Sequence, residues 1–262
     1  MPLERSTIEA LARHLDSCVK EVRDTEKLTD QHPEMSWEEA YAIQEAWRAL
    51  ALAEGARLVG FKAGLTSVAK MKQMGVETPV FGYLLDRFAI AEGGEAAAAS
   101  LIHPRIEPEI AFVMKKRLAG PGVTLAQVLA ATDFVIPAIE VIDSRYRDFR
   151  FDLKSVIADN TSAARFVLGG RARPVEALDL RTLGVVLSIN GEARAFGAGA
   201  AVLGHPAAAV AELANHLARR GEALEAGQVV LSGGITEALA VAAGDHVLLE
   251  VAELGTVGFR FS

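Results

Sequence analysis

The sequence predicts an α+β fold, on three observations. Helical signatures crowd the first fifty-odd residues, apolar strand-like runs dominate from about residue 101, and no regular strand–helix alternation links the two. Ser6 to about Val22 reads as a first helix, with Ser6 and Glu9 in capping-box spacing and Ile8, Leu11, Leu15 and Val19 along one face. Cys18 falls on that apolar side and reads as a small core residue. Thr29 to Pro33 is a break. Ser36 and Glu39 repeat the capping box ahead of Trp37, Tyr41, Ile43, Trp47 and Leu50, and Gly55 closes this second helix.

Arg57 to Lys62 then reads as a strand entering a glycine turn at Gly64. Thr66 or Ser67 can cap a short helix through Met74 that Gly75 ends. Pro79 to Leu85 is extended, and the alanine- and glycine-rich stretch Glu92 to Ser100 is a surface connection. Ile110–Met114 and Phe134–Ile142 are the clearest strands, separated by a short helix, Thr124 to Ala131, with Thr124 and Gln127 as its box. Arg165–Leu168, Gly184–Ile189, Gln228–Leu231, His246–Val251 and Thr256–Phe261 are further strands, with turns at Asn190-Gly191 and Gly244-Asp245. Pro206 and Gly221 bracket a long helix whose inner face carries Val210, Leu213 and Leu217. A soft division falls near residue 80, giving a helical and mixed portion, residues 1–80, and a β-rich portion, residues 81–262.

The 262 residues are 51% hydrophobic and 23% charged, with a formal net charge of −7. No basic stripe offers a nucleic-acid surface, and an anionic substrate would have to be drawn in by local positive charge. The single cysteine excludes a disulfide framework and a thiolate metal site, and fits a reducing cytosol. No run approaches the roughly 18 apolar residues of a membrane span, and Met1 to Ser6 lacks the apolar core of a signal peptide. The expectation is a cytoplasmic protein without membrane association.

Three glutamates carry the chemistry. Glu107 and Glu109 flank Pro108 in an extended apolar stretch, so their side chains share one face. Glu140 follows the apolar run Phe134–Ile139. Exposed acids, or acids paired with Arg105, Arg145 and Lys115, need no such neighbours. Three carboxylates converging among strands point instead to a hard divalent cation, Mg2+ or Mn2+, with positions left open for a bidentate oxygen ligand. Lys62, in the apolar Val59–Leu65 context, is either snorkelling or held to orient a carboxylate or move a proton. Asp143–Tyr146 and Asp159–Ser162 are polar clusters that commonly stabilise loops, and Asp159 or Ser162 could also touch a ligand. Ser232-Gly233-Gly234 follows an apolar strand, and its glycines permit close backbone approach. His205 stands before a helix start in a hydrogen-bonding role, and His103 is ambiguous. No Gly-x-Ser-x-Gly elbow supports a serine hydrolase.

At Gly60–Ser67, Ile106–Glu109, Glu140–Arg145, Ala158–Asn160 and Gly204–Pro206 the chain resembles the 2-keto-4-pentenoate hydratase and 4-oxalocrotonate decarboxylase family, within the fumarylacetoacetate hydrolase superfamily. The resemblance runs nearly end to end. It implies a mixed β-roll catalytic domain behind an N-terminal helical portion, a Mg2+ or Mn2+ ion held by Glu107, Glu109 and Glu140, and Lys62 in the active site. Met74, Val80, Asp159, Ser162 and Ser232 are the candidate substrate-binding residues. Hydratases of the family tend to carry an aspartate where this chain has Val80. An apolar residue there suits loss of carbon dioxide better than addition of water. The expected substrate is therefore 2-oxohex-3-enedioate, a 2-oxo dicarboxylate of the meta-cleavage route of aromatic degradation, and the expected product 2-hydroxypenta-2,4-dienoate. A homo-oligomer and a complex with the pathway hydratase are the implied partners. The rivals are the sister hydratase, a non-catalytic partner subunit, and a fumarylacetoacetate-type hydrolase, for which no clear His–Glu pair is legible.

Overall fold

The computed structural model describes residues 2–67, 71 and 78–262. Of the helix predicted from Thr66 or Ser67 through Met74, only Thr66, Ser67 and Met71 are among them, and the rest, with the closing Gly75, lies outside. α1 (Arg5–Lys20) and α3 (Trp37–Ala53) pack face to face, with a one-turn α2 (Leu28–Gln31) between them where a break was expected. The box at Ser36 and Glu39 forms in both directions. The one expected at Ser6 and Glu9 does not: the N-cap lies two residues earlier, at Glu4, and Glu9 pairs with Arg5 at 2.9 Å. Cys18 is buried. Trp47 Nε1 donates to Asp16 Oδ1 at 3.1 Å, joining the two long helices through the second core cluster.

The strands are β1 (Leu58–Gly64), β2 (Val80–Leu85), β3 (Ala89–Ile90), β4 (Glu95–Ala96), β5 (Arg105–Met114), β6 (Thr132–Ile142), β7 (Ala163–Leu168), β8 (Gly184–Ile189), β9 (Glu192–Ala198), β10 (Val229–Leu231), β11 (Leu239–Ala240), β12 (His246–Val251) and β13 (Gly255–Phe261). α4 (Leu125–Ala131), capped by Thr124 and Gln127, leads into β6. α5 (Leu153–Ala158) and α6 (Pro206–Ala218) complete the described helices.

The larger sheet runs β2-β1-β10-β5-β6-β7-β3, with β11 also on β5. It is mixed, because β1 lies parallel to β10 while the β5–β6–β7 meander is antiparallel. The smaller sheet runs β4-β13-β12-β8-β9. The inner face of β12 and β13, with Val247, Leu249, Val257 and Phe259, packs on β6 and buries the main core. β9, which composition did not signal, is the exposed outer strand reached from β8 through the predicted Asn190-Gly191 turn. The helical layer covers the β2 edge. There the Gln44 side-chain amide donates to the carbonyls of Phe81 and Ile157, both at 2.9 Å, satisfying groups a free edge would leave open. Strands from both sides of residue 80 thus share one sheet, β1 pairing with β2 and with β10.

Candidate metal centre and substrate cavity

The β5–β6 register puts Glu107 directly opposite Glu140, and Glu109 lies two residues along the same face of β5. One carboxylate oxygen from each of the three falls within 4.8 Å of the others. Glu109 and Glu140 are fully buried and Glu107 is partly so. The alternative pairing with surface cations is thereby excluded for the inner two, and Arg145 is committed to Asp159 instead.

Sheet interruption makes the room. β10 and β11 both pair with β5, but they leave residues 107–110 uncovered. Ser232–Ile235 bridges that gap: Ser232 N–H donates to Ile110 O at 3.2 Å and Ile235 N–H to Pro108 O at 3.0 Å. Gly233, at φ +103, donates its N–H to Glu109 Oε2 at 2.7 Å. A Cβ on Gly234 would stand 2.8 Å from Glu107 Cδ, so only glycine lets the loop cross there undisturbed.

Lys62 projects from β1 into the same cluster. It is buried to 2% exposure and stands 2.9 Å from Glu140 Oε2, so it does not snorkel. Its second contact is Thr161 O at 3.2 Å. That carbonyl belongs to an unusual turn: Asn160, Thr161 and Ser162 all have left-handed φ, at 50°, 50° and 60°. Each such non-glycine residue costs on the order of 1–3 kcal/mol and persists only where its surroundings enforce it. Here the Asn160 side chain exchanges two hydrogen bonds with the Tyr83 backbone, at 2.8 and 3.0 Å. Gly82, opposite Lys62 in the β1–β2 register, supplies the space, since a Cβ there would lie 2.5 Å from Thr161 Oγ1.

Burial pulls the Lys62 ammonium down, but the charges of Glu140, Glu107 and Glu109 more than reverse it, leaving its pKa above the ordinary value. Burial, compounded by Glu140, lifts Glu109 well above the usual carboxylate range. Burial also lifts Glu140, against the pull of Lys62. Glu109 Oε1 and Glu140 Oε1 have no hydrogen-bond partner among the described residues. Bare, buried carboxylate oxygens are unfavourable unless a cation meets them. Lys62 offsets part of the negative charge of the cluster, and a divalent ion would offset more of it. The donor set and its charge fit a hard divalent cation.

The cluster opens into a cavity of about 870 Å³. Val80, Ile142, Phe151 and Val156 give it an apolar wall, and Lys62, Glu107, Arg105, Thr161, Ser162 and Thr236 line it as well. Of the pocket residues expected from sequence, Val80 and Ser162 face the cavity and Met74 lies outside the described residues. Asp159 and Ser232 are fully buried and do not line it. Asp159 lies behind the turn, held by the Arg145 guanidinium, and Ser232 contributes its backbone N–H to Ile110 O. His205 is an N-cap, accepting from Ala207 N–H at 3.1 Å. His103 donates its backbone N–H to Asp143 Oδ1 at 2.7 Å. Arg105 and Phe149 were not foreseen as cavity residues, although Arg105 shares the Glu107 face by simple alternation. Thr161 contributes a backbone carbonyl, which leaves no mark in a sequence.

A mixed β-roll whose strands bring three glutamates and a lysine together beside a cavity defines a class of proteins with a site able to hold a divalent cation. The fumarylacetoacetate hydrolase C-terminal family model matches residues 58–262, and the chain belongs to this family. Among its relatives is 4-oxalocrotonate decarboxylase of Pseudomonas sp. strain CF600, 53% identical over 99% of this chain and 98% of that protein. The solved structure of 4-oxalocrotonate decarboxylase from Pseudomonas putida G7, complexed with magnesium and adipate, superposes with a TM-score of 0.97 at 51% identity, covering 99% of each chain. A 2-hydroxyhexa-2,4-dienoate hydratase of Comamonas testosteroni is 40% identical over 99% of both chains.

Proposed function

We propose that this chain is a carboxy-lyase that decarboxylates 2-oxohex-3-enedioate (4-oxalocrotonate) to 2-hydroxypenta-2,4-dienoate and carbon dioxide. The observation that carries the reading is the end-to-end likeness, at TM-score 0.97, to a decarboxylase complexed with magnesium and a six-carbon diacid. Glu107, Glu109 and Glu140 would hold Mg2+ or Mn2+, both hard ions that take oxygen ligands. When bound, such an ion supplies Lewis-acid charge to the 2-oxo acid end of the substrate.

The chain's own residues do the rest. In the reaction the C5–C6 bond breaks and carbon dioxide departs. The electron pair moves through the C3–C4 double bond, leaving negative charge at the 2-oxo oxygen, where one proton completes the enol. Lys62, fixed by Glu140 and Thr161 O, presents an ammonium to that charge without needing to reorganise. The Val80, Ile142, Phe151 and Val156 wall offers no polar group to place a water, and so favours loss of carbon dioxide over addition of water. The reading extends to a homo-oligomer and to association with the pathway hydratase, supported by the family resemblance. It also extends to a cytoplasmic location, supported by a lone, buried cysteine. No described helix is long and apolar enough to cross a membrane.

Identity of 40% to a hydratase keeps hydration of 2-hydroxypenta-2,4-dienoate as the second reading. Purified protein is to be offered both substrates with and without magnesium. Carbon dioxide release from 2-oxohex-3-enedioate that chelator abolishes is the expected result. Hydration of the dienoate without such release would replace the first reading by the second.

A further inference from the structure

Arg105 lines the cavity, with no carboxylate partner among the described residues. By strand alternation it shares a face with Glu107 and Glu109 and stands about 7 Å along β5 from Glu107. It therefore lies toward the end of the cavity away from Glu109. Its guanidinium carbon sits 4.3 Å from the centroid of the Phe149 ring. Phe149 is itself held at φ 60°, after Asp148 at φ 56°, a backbone that bulky residues rarely adopt. Its ring packs 5.8 Å from Phe151 and 6.0 Å from His103, which brace it. Stacking uses the face of a guanidinium and leaves its in-plane N–H donors free, and among the described residues Arg105 makes no ion pair and donates no side-chain hydrogen bond. A positioned fork of donors at a cavity wall is suited to a planar, bidentate anion.

We propose that Arg105 is the specificity-determining residue that receives the second carboxylate of the substrate, the one remote from the 2-oxo acid end. The assignment rests on the reading of the substrate as a 2-oxo dicarboxylate, whose extended chain would run from the glutamate cluster along β5 toward Arg105. It carries a kinetic signature. The remote carboxylate is the group that leaves as neutral carbon dioxide, so its pairing with Arg105 is strongest in the bound substrate and weakens as the C5–C6 bond breaks. Arg105 therefore contributes to binding and selection and does not speed the chemical step.

The test uses magnesium-loaded full-length protein and two unreactive probes that differ only in the remote group, 2-oxoadipate and 2-oxohexanoate, measured by calorimetry. Wild type should prefer the diacid by about tenfold or more, the scale of a charge-assisted bidentate pair. Arg105→Gln should abolish the preference while its affinity for 2-oxohexanoate and for magnesium stays unchanged. Arg105→Lys, which keeps charge and an apolar stem against Phe149, should restore part of it. With 2-oxohex-3-enedioate, Arg105→Gln should raise KM by about tenfold or more without lowering kcat. A diacid preference that survives in Arg105→Gln, or one absent from wild type, overturns the assignment, as does a loss confined to kcat. Wild type that selects 2-oxoadipate through Arg105 yet releases no carbon dioxide from 2-oxohex-3-enedioate would sink the decarboxylase reading and leave Arg105's role standing.

Discussion

Lys62 Nζ stands 2.9 Å from Glu140 Oε2, and both side chains are buried. A buried pair is costly to break from one side, by about 3–5 kcal/mol, because the surviving charge loses its partner. In this cluster the penalty is asymmetric. Removing Lys62 takes away the cation that touches buried Glu140, whereas Glu140→Gln still leaves Lys62 near Glu107 and Glu109. Lys62→Met should therefore unfold at lower denaturant than wild type without metal. Added magnesium should recover more stability in it than in wild type, since ligand binding stabilises by mass action. Equal magnesium increments in the two proteins would mean that Lys62 does not offset the glutamates. Turnover by Lys62→Met should fall steeply even when metal is saturating.

Glu109→Gln keeps the shape of the side chain and an acceptor for Gly233 N–H, but removes one negative charge from the cluster. Magnesium affinity should drop by calorimetry, and carbon dioxide release should fall by about a hundredfold to a thousandfold. Full activity in this variant at low magnesium would remove Glu109 from the metal set.

Gly234→Ala tests how the loop shapes the site. Gly234 does not have left-handed φ, so alanine is conformationally acceptable, but its Cβ would press within 2.8 Å of Glu107 Cδ. The flexible carboxylate must give way. Folding stability should change by less than about 1 kcal/mol, while magnesium affinity falls. Stability lost with magnesium affinity intact would show that the contact only supports the fold.

The glutamate site was legible because strand alternation and apolar context are one-dimensional signals: Glu107 and Glu109 sit two apart, and Glu140 ends an apolar run. The helical layer was legible through Ser36–Glu39 and Thr124–Gln127, whose boxes form as spaced. Ser6–Glu9 has the same spacing and forms no box, because the chain enters that helix two residues sooner, with Glu4 as its N-cap. The Asn160–Ser162 turn was hidden for a different reason. Its left-handed backbone is enforced by Tyr83, distant in sequence, and by the missing side chain of Gly82. Asp159 read as a ligand candidate, and only its burial against Arg145 gives it a supporting place.

Acid stability should be limited by His216. Burial, reinforced by Arg220 and Arg219, pushes its pKa down to about 4, and its ring packs 4.4 Å from Tyr41 and 5.0 Å from Phe81. An unfolded chain takes up this proton near pH 6.5. Between these values the unfolded state binds more protons. The contribution is therefore fully present above about pH 6.5 and is lost as pH falls toward 4. At 1.36 kcal/mol per unit the loss approaches about 3 kcal/mol. Denaturant unfolding at pH 7 and pH 4.5 should show a smaller difference in His216→Leu than in wild type. Parallel losses in the two proteins would place the acid sensitivity elsewhere.

Asn160 carries the last expectation. Asn160→Ala removes both hydrogen bonds to the Tyr83 backbone and asks alanine to hold φ near 50°. Asn160→Gly removes the same bonds but tolerates that φ. Alanine should thus destabilise by about 2–3 kcal/mol and glycine by less, the difference measuring the left-handed penalty. Both should let Thr161 O move away from Lys62, because the clamp on β2 is gone in either case. Decarboxylation should fall in both variants while magnesium affinity holds, since the three glutamates lie on β5 and β6. If glycine restored wild-type turnover, backbone strain alone would be setting the turn, and the Asn160–Tyr83 clamp would have no part in placing Lys62.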